Sequence, residues 1–513
     1  MIVGAADQRR YSSRHAIDHS PLAGRRIPAA RSAAGAALQT GDCARLYVTT
    51  GLWVLLAYAA GLVALGAWIG RRVGRAGSFF VADRKLGPVL LFATVLAANL
   101  GAGTTVGAAG LGYRDGLSAW WWVGSAGIGT ILLALWVGPR IWKVAARHEL
   151  LTMGDYLDLR YGRSVRLLIA VLLWFATLTI VSGQLIAMAE IVAVVAGTPR
   201  WIGALVGGIV VIVYFSAGGL VASAWVNLVQ LVVLLAGFAV AIPWALSDIG
   251  GWTAIEATAA RTSPDYLDPW QGGGSGWVYI ALLAPAFIIS PGLVQKVYGA
   301  TSPRAIRIGL LAAGVGLVLF AFAPTLLGMI ARVYDPALAS REQALPMLLA
   351  TALPPALGLL GLAAVFSAEV SSADAGLFML STSLSKDLYK GFLRPEAPSR
   401  DVLRVARGAA IAGGTLAVLL ALWLESVIAS LTIFYSILSV SLFVPVAAGL
   451  HSRRAGVPEA LAAVGAGLAA LGAVHLFAPA DAPALLDRTL IGLIVSAATF
   501  ALVAAARGHI RRN

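Results

Sequence analysis

Apolar positions in this chain are grouped in long blocks rather than spaced along one helix or strand face. The blocks fall near 47–70, 86–112, 117–138, 166–196, 201–217, 222–247, 276–299, 308–332, 356–385, 404–424, 427–450, 457–477 and 488–507, and the segments between them carry most of the charge. A helix needs roughly 20 apolar residues to cross a bilayer. The pattern therefore predicts an all-α polytopic membrane bundle of about 13 transmembrane helices, residues 46–513. A short amphipathic piece near 340–352 is expected on the outside before the ninth span. Residues 1–45 are rich in Arg, Ala and Ser, with no periodic apolar face and no signal-peptide core. They are expected to be a disordered tail, or residues upstream of a start codon set too early.

Composition excludes the soluble classes. Of 513 residues 59% are hydrophobic and 12% charged, with mean hydropathy +0.84; a soluble domain carries about twice that charge fraction. The net charge of +14 would suit nucleic acid, but the Lys and Arg lie between apolar runs, so the partner they imply is the lipid bilayer and not nucleic acid. With the first span entering from outside, the inside loops hold 25 Lys and Arg and the outside loops 6, before the 7 Arg of the tail. The positive-inside rule then gives an outside N-terminus, a cytoplasmic C-terminus and a cell-membrane location. The single cysteine, Cys43, rules out an intramolecular disulfide and a Cys-based metal or redox site.

Two spans are interrupted by small residues: "FATVLAANLGAGTTVGAAGLG" (92–112) and "ALLAPAFIISPGLVQKVYG" (281–299). They lie five spans apart, an odd number, which sets the two halves in opposite orientation. Broken helices at matching positions of inverted halves mark the binding site of a secondary transporter. The competing explanation, close packing at small residues, suits either segment alone better than the pair. The repeats are expected at about 86–247 and 276–450.

The ninth span, "VFSAEVSSADAGLFMLSTSLSKDLYK" (365–390), carries Glu369, Asp374 and several serines. Charged groups inside a membrane are costly and point to function. At 100° per residue, positions 368, 371, 372 and 375 share a stripe about 80° wide. Taken alone, Ser371 and Ser372 are better read as bonding back to the preceding turn. No Lys or Arg is expected within the core spans to neutralise the two acids, and a third acid, Glu190, lies within the fourth span.

Four segments in order resemble the sodium:solute symporter family: "FFVADRKLG" (79–87), "GGLVASAWVNLVQ" (218–230), "QKVYGATSPRAIRIG" (295–309) and "SSADAGLFMLSTSLSKDLYK" (371–390). The resemblance covers about residues 50–450. It implies a five-plus-five inverted-repeat fold and one coupling Na⁺, held by the carbonyls of Ala97, Leu100 and Ala368 and the hydroxyls of Ser371 and Ser372. Na⁺ prefers oxygen ligands, and an unwound helix supplies free carbonyls. A second Na⁺ site found in some members is put in doubt: Asn227 stands in place of an Asp, and Asp374 and Ala375 in place of serines. At the break of the seventh span, apolar "APAFII" (284–289) replaces the polar cluster of sugar-transporting relatives.

The function expected is Na⁺-coupled symport of a small organic solute by alternating access, with no enzymatic chemistry. The apolar seventh-span break and Trp120, Trp121 and Trp122 suit an amino acid, a monocarboxylate or a similar metabolite. The solute is expected among Asn99, Gly101, Thr104, Gln184, Phe287, Ser290 and Tyr435. Glu369, Asp374 and Glu190 are candidate coupling acids and keep H⁺ coupling open. A channel would need rings of polar groups along an open pore, and a membrane sensor would need a signalling domain.

Overall fold

A computed structural model describes residues 51–55, 57–61, 64, 84–217, 220–270, 276–452, 455–477 and 487–510, with side chains except at 216–227 and 508–510. The tail, most of the first expected span, residues 79–83 of the first motif and the side chain of Asn227 lie outside that description. Every extended segment among the described residues is short; the one β-bridge joins Leu86 to Ala300.

The second expected span is two helices, α1 (Pro88–Asn99) and α2 (Val106–Asp115). The third is α3 (Trp120–Leu132), continuing through a π-helical turn at Leu133–Val137 into α4 (Gly138–Arg147). A short α5 (Met153–Tyr161) precedes three long spans, α6 (Arg163–Ala196), α7 (Arg200–Ala217) and α8 (Leu220–Asp248). The peripheral α9 (Trp252–Thr262) leads to the second half. That half opens with another divided span, α10 (Tyr279–Ile289) and α11 (Pro291–Tyr298), followed by α12 (Pro303–Phe320) and α13 (Phe322–Tyr334). The short piece expected near 340–352 is α14 (Ala344–Thr351), which is apolar rather than amphipathic and buries Ala344, Leu345, Pro346, Leu348 and Leu349. After it come α15 (Pro355–Thr382), extended by π-helical turns at Ser383–Leu393, then α16 (Ser399–Trp423) and α17 (Val427–His451). Two further spans, α18 (Val457–Phe477) and α19 (Arg488–Ile510), complete the described chain.

Among the described residues, ten helices are long and apolar enough to cross a membrane, and three shorter apolar ones include α1. With each divided span counted once, they match the thirteen expected segments. The outward faces are apolar: Phe175, Ile209, Val232, Leu319, Leu419 and Leu502 are exposed. This suits hydrocarbon, where only polar backbone and side-chain groups need shelter.

The two divisions have local causes. At the first, Leu100 leaves the helix (φ −90°, ψ 77°) and the chain turns through Gly101 and Gly103 before α2 starts. At the second, Pro291 opens α11 and Ser290 is extended at ψ 122°. Proline lacks an N–H and disfavours helical geometry in the residue before it.

Packing is reciprocal between the halves. The divided span of the first half lies on α12 and α13, while α10 of the second lies on α3. Each broken helix therefore sits against the second span of the other half. The Leu86–Ala300 bridge repeats this exchange by joining the start of one broken span to the end of the other.

Candidate functional site

The break between α1 and α2 is held open by side chains rather than by helix hydrogen bonds. Thr104 Oγ1 accepts from the Gly101 N–H (2.9 Å) and lies 2.9 Å from the Asn99 carbonyl, to which it donates. Gln184 on α6 accepts from the Ala102 N–H at 2.7 Å through Oε1. These partners satisfy the donors freed by unwinding, which buried backbone demands. Gly101 itself has no room for a side chain: a Cβ there would lie 2.2 Å from Ser372 Oγ and 2.6 Å from Gln184 Oε1.

α15 crosses this break. Ser371 Oγ donates to the Ala97 carbonyl at 3.3 Å and Ser372 Oγ to the Ala98 carbonyl at 3.0 Å. The hydroxyls thus reach across to α1 and not only to their own preceding turn. Ala97, Leu100, Ala368, Ser371 and Ser372 are all buried. Direct contact joins Ser371 to Ala97, whereas the Ser372 hydroxyl meets Ala98, a carbonyl absent from the expected set. The oxygens at this crossing are hard, uncharged donors of the kind that suit Na⁺.

Beside the crossing lies a cavity of about 60 Å³. Asn99, Gly101, Thr104, Gln184, Phe287, Ser290 and Tyr435, the seven residues expected around the solute, all line it. So do Ser372, Trp122, Phe434 and Lys296. One wall is aromatic: the Tyr435 ring centroid is 5.4 Å from that of Phe287, 5.2 Å from Phe434 and 6.3 Å from Trp122.

The acids separate. Glu369 is fully buried and its Oε1 accepts from Thr105 Oγ1 at 2.7 Å. Asp374 is buried and interacts electrostatically with Lys296. This corrects the expectation that no basic residue lies within the core spans: Lys296 is only 5% exposed, near the end of α11. Its place at the edge of an apolar run, close to Arg304 and Arg307, had set it among the loop cations. Glu190, whose partner the sequence does not reveal, forms an ion pair with Arg200 at 2.7 Å and accepts from Gln343 Nε2 at 3.3 Å.

Sequence patterning also misses two basic clamps. Arg84, of the "FFVADRKLG" motif, donates to the carbonyls of Tyr298, Ala145 and Leu150 at 2.9–3.1 Å. It joins the end of α11 to the end of α4 and the residues just after it through main-chain carbonyls. Arg166 on α6 pairs with Asp155, Asp158 and Asp387 at 3.0–3.1 Å, and Thr152 Oγ1 donates to Asp387 at 2.8 Å. The cluster binds α5, α6 and the π-helical end of α15 beside a second, smaller cavity that shares Met379 and Phe434 with the first. Only the tertiary contact shows these roles, since a lone Arg in a loop reads as a topology signal.

Known proteins agree with this architecture. The model of the sodium:solute symporter family matches residues 79–467. The human sodium/iodide cotransporter is 26% identical over 478 residues, covering 87% of this chain and 73% of that protein. The sodium/pantothenate symporter of Escherichia coli (strain K12) is 26% identical over 421 residues, 75% of this chain and 82% of that protein. A solved Na⁺-coupled sialic acid symporter, in a substrate-bound outward-open state, superposes with a TM-score of 0.76 at 19% identity, covering 89% of this chain and 98% of that one. The matched segment contains both broken helices and the α15 crossing, and the chain belongs to the sodium:solute symporter family.

Proposed function

We propose that Na⁺ binds where α15 crosses the first break, held by the carbonyls of Ala97, Leu100 and Ala368 and the hydroxyls of Ser371 and Ser372, and that a small organic solute binds in the adjoining cavity. The observation that carries this reading is the position of Ser372. Its hydroxyl lies on the α1 carbonyl ladder and its side chain also lines the cavity. An ion that fixes Ser372 therefore shapes the solute site, and a solute that fills the cavity steadies the ion site. Such coupling is reciprocal, which sodium-coupled symport requires.

The broken spans α1/α2 and α10/α11 both border the cavity, through Asn99, Gly101 and Thr104 on one side and Phe287 and Ser290 on the other. Alternating access then consists of tilting one half against the other around a fixed site. We place the loops rich in Lys and Arg in the cytoplasm of a cell membrane.

The test is sodium-dependent uptake by proteoliposomes carrying the full chain, screened across labelled amino acids and monocarboxylates. Ser371→Ala and Ser372→Ala should each raise the half-saturating Na⁺ concentration about tenfold or more, since hydrogen-bond-strength contacts to charge contribute about 1.5–3 kcal/mol. Unchanged sodium dependence in both variants refutes the ion site. Uptake driven by a proton gradient alone, in sodium-free buffer, refutes sodium as the coupling ion.

A further inference from the structure

α15 meets the first break at both of its ends. Ser371 and Ser372 hold the α1 end, through the carbonyls of Ala97 and Ala98. Glu369 holds the α2 end: its Oε1 accepts from Thr105 Oγ1 at 2.7 Å, and Thr105 is the residue from which α2 starts. Glu369 and Ser372 stand three residues apart and so are neighbours on the α15 surface. Glu369 and Thr105 are both fully buried, and neither lines the solute cavity or the smaller one beside it. An acid so deep in a membrane helix is costly and points to function.

The local geometry shows Thr105 spent on this contact. A threonine at a helix start ordinarily accepts from a first-turn N–H; Thr105 makes no such bond. Its hydroxyl lies 2.7 Å from Glu369 Oε1 and 3.0 Å from the Gly101 carbonyl, with one hydrogen for the two. The Gly101 carbonyl already takes the N–H groups of Thr104 and Thr105 and the Thr104 hydroxyl. Among the described residues, the Glu369 carboxyl has Thr105 as its one hydrogen-bond partner, and its Oε2 has none. The hydrogen therefore serves Glu369, and the helix start gives up its cap to hold α15.

We infer that Glu369 is a positioning residue for the coupling ion: acting through Thr105, it fixes the start of α2 and with it the width of the break. The inference rests on the crossing being the ion site. Between α1 and Thr105 the chain runs through Gly101 and Gly103, whose backbone accepts many directions. Leu100, whose carbonyl belongs to the proposed ion shell, opens that stretch. The direction of its carbonyl depends on where the residues after it are held. Gln184 holds Ala102 from α6, and Glu369 holds Thr105 from α15. One helix thus sets both the hydroxyls of the ion site and the span of the carbonyl turn that faces them.

The experiment measures ²²Na⁺ binding to the purified full chain, displaced by unlabelled Na⁺ or Li⁺. The double variant Thr105→Val/Glu369→Leu removes both partners, so no buried polar group is left alone and stability should hold. It should still raise the half-saturating Na⁺ concentration about tenfold and change the Li⁺-to-Na⁺ affinity ratio about threefold or more, which a merely structural contact would not do. Thr105→Ser and Glu369→Gln keep the hydroxyl and the acceptor oxygen, and should bring binding back to within about threefold of the unmodified chain. Should the double variant fail to fold, Thr105→Val alone carries the test, since no helix cap is lost with its hydroxyl. Unshifted Na⁺ binding in these two variants, with Ser372→Ala shifted, overturns the inference and leaves the ion site standing. Glu369→Gln binding as weakly as the double variant overturns it too, because the charge and not the hydrogen bond would then be what matters. Na⁺ binding that none of these variants changes, Ser371→Ala and Ser372→Ala included, overturns both the inference and the ion site on which it rests.

Discussion

Replacing Gly101 by alanine perturbs the proposed ion and solute sites at their point of contact. The added Cβ would lie 2.2 Å from Ser372 Oγ, 2.4 Å from Ser372 Cβ and 2.6 Å from Gln184 Oε1. Rotation can move the hydroxyl and the amide away, but Ser372 Cβ is fixed to the α15 backbone. Restoring ordinary contact at 3.4 Å requires α15 and the first break to separate by 1.0 Å, the difference of those two distances. That separation falls where Ser371 meets Ala97 at 3.3 Å and Ser372 meets Ala98 at 3.0 Å. Overpacking of this kind costs about 1–3 kcal/mol. If that cost falls on the sodium-bound state, it weakens sodium affinity roughly 5- to 150-fold. The assay is sodium-activated uptake by proteoliposomes, with the half-saturating Na⁺ concentration as readout. Gly103→Ala is the control: in the same break, the nearest neighbours of its Cβ would be Leu431 at 3.2 Å and the Trp122 ring nitrogen at 3.4 Å, neither of them on α15. The sodium dependence should shift in Gly101→Ala and stay near that of the unmodified protein in Gly103→Ala. Equal, unshifted curves in both would refute the claim that the glycine-bounded crossing forms the ion site.

Asn99→Ala, which removes a cavity amide adjoining the α1 carbonyls, should weaken solute affinity and, through coupling, sodium affinity; intact solute affinity in the folded variant would move the pocket elsewhere. Asn227 in place of a carboxylate predicts one Na⁺ per solute, checked by comparing charge movement with labelled flux for a solute of known charge; two Na⁺ would require another ligand, Asp374 foremost. Arg166→Ala strands the buried Asp387 beside the half-buried Asp155 and Asp158, so unfolding in detergent should occur with about 3–5 kcal/mol less stability, and an unchanged thermal midpoint would show the cluster to be incidental.

The membrane class, the number of spans and the position of both breaks follow from the sequence alone. Each depends on local chemistry: a run long enough for hydrocarbon, a Pro291 that cannot extend a helix, and glycines 101 and 103 that cannot favour one. Spacing five spans apart was enough to suggest inverted halves, and four ordered motifs to suggest the family. Tertiary structure decided what those residues touch. Asn99, Gln184, Ser290 and Tyr435 come from four separate spans, yet they line one cavity because each broken helix packs on the second span of the opposite half. Lys296 reads as a loop cation along the chain, since hydropathy averages over neighbours and carries no direction; the short α11 turns it inward, opposite Asp374. The Glu190–Arg200 pair and the Arg166 cluster were equally silent in sequence. Charge partners are set by distance across helices, which no single span encodes.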